Sequence, residues 1–116
     1  NNLTFYYSDE ALKLKNAELA EKAYDYANKL LKRFDVTKNA RISKDKVLES
    51  ASRAYYAYSQ LVNQSLETAL LGLKYATEAI ELNSKNTFAI DLIQKYPELI
   101  DKKCKQLSIV SKSSRR

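Results

Sequence analysis

The chain reads as an all-α domain built from four to five antiparallel helices, and three observations predict this. It has one Gly (Gly72) and one Pro (Pro97) in 116 residues, so tight turns have few places to form. Leu, Ala, Lys and Glu, all strong helix formers, are abundant. Apolar residues recur at three- and four-residue steps along most of the length. The length suits a single domain, and no apolar run reaches the roughly 18 residues that would span a membrane.

Residues 1–8 form an N-terminal segment carrying Leu3, Phe5, Tyr6 and Tyr7, expected either to pack on the helices or to meet another chain. Ser8 is a suitable N-cap, and Asp9 and Glu10 suit the positive end of a helix. Leu12, Leu19, Ala23, Tyr26, Ala27, Leu30 and Phe34 then predict one long helix over about 9–33, with Asn16 its one point of interruption. Ser43 caps a second helix with Val47, Leu48, Ala51, Tyr55, Tyr58, Leu61 and Val62 on one face. After a corner at 63–65, a third helix turns Leu66, Ala69, Leu70, Leu73, Thr77 and Ile80 inward. A polar corner follows at Asn83–Asn86, and a fourth helix begins at Thr87 with Phe88, Leu92 and Ile93. Pro97 suits the first turn of a helix better than an interior, so the end divides into helices of about 87–95 and 97–108. The domain then covers 9–108, and 109–116 is a basic, disordered tail.

The net charge of +6 is localised. Residues 1–101 carry 14 Lys and Arg against 14 Asp and Glu, whereas 102–116 carry six basic residues and no acid. A second basic cluster spans Lys32–Lys46. With no His, one Cys (Cys104) and one Gly, neither a Cys/His metal site nor a Gly-rich phosphate loop can be assembled. The carboxylates Glu78 and Glu81 stand at helix-surface spacing near Lys74 and read as solvated charges. The expectation is a non-enzymatic chain without cofactor or metal. Cys104, alone, rules out an intrachain disulfide and leaves the redox compartment open. Without an initiating Met or a signal-peptide pattern, the chain is expected to derive from a longer or processed precursor. Its compartment, cytoplasmic or cell-envelope, is therefore undetermined.

The stretch Tyr75–Asn86, with Gly72 and Ala79 before the corner, resembles the end of a tetratricopeptide repeat. Ala20, Tyr24 and Ala27 echo the small-large-small spacing of the same repeat helix, and Tyr56 falls where that family has its first bulky aromatic. The resemblance covers about residues 9–95 and is degenerate. Ser84 stands where a Pro usually ends the repeat, Ala76 replaces a large residue, and Ser59-Gln60 replaces a Leu-Gly pair. Ala27 and Ala79 lie 52 positions apart, against a family period of about 34. An irregular helical bundle is the alternative architecture.

The resemblance implies a scaffold that binds another protein. The family's carboxylate-gripping positions fall here on Ala54, Ala57, Tyr58, Leu61 and Gln64, which supply no cationic clamp. An apolar, Tyr-bearing groove is expected instead, with Tyr55, Tyr58, Leu61, Gln64 and Phe88 as partner-binding residues. Ala20, Tyr24, Ala27, Tyr56, Gly72 and Ala79 act as packing residues. Tyr55, Tyr56 and Tyr58 crowd nearly a full turn, so at least one should stand partly exposed. Two other functions compete with protein binding: nucleic-acid or anionic-surface binding through 32–46 and the tail, and self-association of a structural bundle. The oligomeric state is open.

Overall fold

A computed structural model describes residues 2–37, 44–62 and 66–114, with side chains placed within 3–33, 44–62 and 66–105. Five helices and no strand occur among the described residues: α1 (Asn2–Leu14), α2 (Ala17–Thr37), α3 (Lys44–Leu61), α4 (Leu66–Leu82) and α5 (Thr87–Ser114). None is long and apolar enough to cross a membrane. The predicted all-α class holds. Phe34, the Ser43 cap, the 63–65 corner and Gln64 lie outside the described side chains.

The long first helix is two helices. Ser8 is not a cap: its hydroxyl donates to the Thr4 carbonyl at 2.6 Å, inside a helix that has already begun at Asn2. The N-terminal aromatics thus belong to α1. Lys15 takes a left-handed conformation (φ 51°), and the Asn16 amide donates back to the Ala11 carbonyl at 3.0 Å, which closes α1. Asn16 then starts α2, its Oδ1 accepting from the amides of Glu18 (2.9 Å) and Leu19 (3.2 Å). One Asn therefore serves both ends of the break.

The C-terminal division is also corrected. α5 runs through Pro97 to Ser114, so there is neither a helix break at 96 nor a non-helical stretch from 109 to 114. Ala89, Leu92, Tyr96, Leu99 and Lys103 form one buried stripe that crosses Pro97 without a change of phase. Packing of that stripe offsets the hydrogen bond that proline cannot donate, and Pro97 itself faces solvent.

Successive helices pack antiparallel, and α3 sits at the centre, touching all four others. Among the described residues, 11 of the 17 buried apolar side chains are alanine, so the helices approach closely and few large side chains separate them. Ala20, Ala27 and Ala79 are fully buried. Gly72 is the tightest point. A Cβ there would lie 2.7 Å from Tyr96 Cζ and 3.1 Å from Tyr55 Cβ. The Tyr96 hydroxyl donates to the Ser52 carbonyl, and the Ser52 hydroxyl donates to the Gly72 carbonyl at 2.6 Å. These two bonds tie α5 to α3 and α3 to α4. The Tyr96 hydroxyl is held well above its ordinary pKa, chiefly by burial, so it stays a donor.

Candidate functional site

Of the five residues expected to meet a partner, Gln64 lies outside the described residues, and the other four do not share a surface. Tyr55 is only 4% exposed. Its hydroxyl donates to Asn28 Oδ1 on α2, and its ring packs against Tyr24 (4.9 Å between centroids) and Tyr75 (5.4 Å). Burial, reinforced by Tyr75 and Tyr24, pushes its pKa far up. Tyr58 is half-buried and stacks on Tyr24 with centroids 3.9 Å apart. Leu61 packs onto Ala11, Ala20 and Ala57. Ala54 and Ala57, the floor of the expected groove, are completely buried. α1 and α2 therefore occupy the side of α3 that a partner was expected to fill. Tyr56 and Tyr58, each half-buried, are the partly exposed members of the trio.

Phe88 differs: it is 50% exposed. It stands at the mouth of a cleft of about 410 Å³ formed where the start of α1, the first turns of α3 and the α4–α5 corner meet. The corner is built by its asparagines. The Asn83 side chain accepts from the Lys85 amide (3.1 Å), and Asn86 caps α5 by accepting from the Ala89 amide (3.1 Å). Both donate their amide NH₂ to Asp45 Oδ2, at 3.2 and 3.0 Å, which pins the corner to the first turn of α3. Position 88 is thereby fixed by a rigid frame.

Beneath Phe88 lies buried charge. The Arg53 guanidinium sits 4.7 Å from the Phe5 centroid and 5.2 Å from that of Phe88, and the two rings meet edge to face at 5.7 Å. Such contacts contribute up to about 2 kcal/mol each when desolvated. Arg53 is 8% exposed and its Nε has no hydrogen-bond partner. One turn earlier, Glu49 lines the cleft and is 6% exposed. Burial is the main cause that raises its pKa above the usual 4.5, and Asp45 adds to it against the opposing pull of Arg53 and Lys46. Lys46 and Lys85 stand exposed at the rim.

The arrangement offers an aromatic edge, buried carboxylates, a buried guanidinium and flexible rim cations. Such a set of groups can contact apolar and charged groups side by side. Among the described residues no cluster of three Asp, Glu or Cys side chains is placed to hold a metal ion. Of the cleft, Phe88 was legible in the sequence, and Phe5 belonged to a segment already marked for packing or contact. Asp45, Glu49 and Arg53 were missed, although their i, i+4, i+8 spacing places three charges on one stripe of α3. No protein-family description, curated protein or solved structure matches the chain.

Proposed function

We propose that the chain is a non-catalytic protein-interaction module that receives its partner at the α4–α5 corner. The observation that carries this reading is Phe88: a large aromatic, half exposed, held by a hydrogen-bonded corner above a cleft with buried charge. Aromatic anchors surrounded by polar groups are the residue pattern of binding hot spots. The all-helical array and its tetratricopeptide-like spacing support the same reading, with the surface moved from the α3 tyrosines to the corner.

Site-specific photo-crosslinking tests it. A benzoylphenylalanine at position 88 in the native cell should capture a discrete protein, identifiable by mass spectrometry, that the same probe at exposed Leu70 on α4 does not. Identical products from both positions, or none from 88, would refute the reading.

A further inference from the structure

Glu49 lines the corner cleft with only 6% of its surface exposed, yet its carboxylate makes no hydrogen bond or ion pair among the described residues. Buried carboxylates are nearly always paired, because losing water without gaining a partner is costly. The oxygens are not sealed off, in contrast to Arg53 Nε, which has lost almost all contact with water. What remains of the Glu49 surface opens into the cleft. A negative charge stripped of most of its water therefore faces a cavity.

The neighbouring charges decide what suits it. Asp45, one turn earlier, is held by Asn83 and Asn86 and adds negative charge on the same stripe. Arg53, one turn later, opposes it, but its guanidinium lies against the rings of Phe5 and Phe88 and forms no ion pair with Glu49. Burial, with Asp45, outweighs Arg53 and Lys46 in setting the Glu49 pKa, which is raised. Lys46 and Lys85 stand exposed at the rim, where hydrated ammonium groups gain little from an anion. Phe5 and Phe88 add apolar wall to the same cleft. A cation on an apolar stem fits this combination, its stem along the ring and its head on the carboxylate.

We propose that the corner cleft receives a basic side chain of the partner protein, lysine or arginine, with its charged head on the Glu49 carboxylate and its methylene stem against Phe88. This rests on the corner being a protein-binding surface and names the chemistry that the surface selects. A charge-assisted hydrogen bond to a carboxylate is short and strong, and a cleft of about 410 Å³ has room for either side chain.

Titration of the intact chain with n-butylammonium and n-butylguanidinium, followed by amide chemical shifts, provides the test. At least one of the two should give saturable shifts centred on Lys46, Glu49, Asn86 and Phe88, while n-butanol and n-butyrate give none at the same concentrations. Glu49→Gln should weaken cation binding about tenfold, and Glu98→Gln on the exposed side of α5 should leave it unchanged. Absence of saturation by either cation, saturation by butyrate, or equal affinity in the two variants would overturn the proposal. Should Glu49→Gln fail to fold, the comparison of cations with butyrate on the unaltered chain decides. The photo-crosslinker at position 88 separates this proposal from the reading on which it rests. Capture of the same protein in equal yield with and without Glu49→Gln would leave the corner a protein-binding surface and overturn the basic side chain as its ligand.

Discussion

Two aromatic regions of this molecule have opposite fates. On α3, Tyr55 is seated among alanines with its hydroxyl bonded to Asn28, and Tyr58 is stacked on Tyr24. At the α4–α5 corner, Phe88 stands half exposed over Arg53 and Glu49. The first region is covered by the chain's own α1 and α2, whereas the second is framed but left open. An aromatic cluster on one helix thus says little about binding until the neighbours that cover it are known, and a single aromatic after a rigid corner says more.

The largest way to break the contrast is on the sealed side. Gly72→Leu places side-chain carbons inside the Tyr96 phenol and against Tyr55. It should cost at least about 3 kcal/mol, read from urea unfolding, since overpacking is not relieved where both neighbours are themselves buried or hydrogen-bonded. A loss below about 1 kcal/mol, the helix-propensity gain that Gly replacement brings being small, would mean that α3, α4 and α5 are less tightly interlocked than described.

Asn16→Ala is next. It removes the cap that starts α2 over the tyrosines, and a loss of about 1 kcal/mol is expected from the same measurement. At the corner, Phe88→Ala should cost less than about 1 kcal/mol, because half of the ring is already in water and Arg53 keeps its contact with Phe5. The same change should abolish partner capture if the proposed function is correct. A large stability loss with intact capture would reverse the assignments of the two regions.

The smallest effect is a pH dependence. The folded chain raises the Glu49 pKa above 4.5, so in the window between the unfolded and folded values the folded state binds more protons. Stability from this group therefore falls as pH rises through that window and is recovered as pH falls below it. A carboxyl NMR titration should place Glu49 above the ordinary glutamate value of 4.5, and Glu49→Gln should flatten this part of the stability profile. A Glu49 titrating at or below 4.5 would contradict the buried-charge description of the cleft.

Much of the fold was legible from local rules. The Asn83–Asn86 corner, the extents of α3 and α4, and the close approach at Gly72 follow from turn chemistry and from the cost of a mid-helix glycine. What misled was context. Ser8 has the chemistry of a cap but hydrogen-bonds to Thr4, and Pro97 has the chemistry of a helix start but sits beside a buried stripe that continues past it. Periodicity showed that α3 had a Tyr-bearing face; it carried no information on which element covers it. The charges at 45, 49 and 53 carry no local sign of burial, because only the convergence of α1, the corner and α3 buries them. Long-range arrangement decides each of these points.

Native-state amide hydrogen exchange tests the central claim, that α1 and α2 seal the tyrosine face while the corner is the open surface. The amides of Ala20–Ala27 on α2 should exchange with the same free energy as those of Ala51–Ala57 on α3, both near that of global unfolding. Exchange of Ala20–Ala27 at a clearly lower free energy would show that α1 and α2 lift as a unit. The Tyr55–Tyr58 face would then be available to a partner, contrary to the account given.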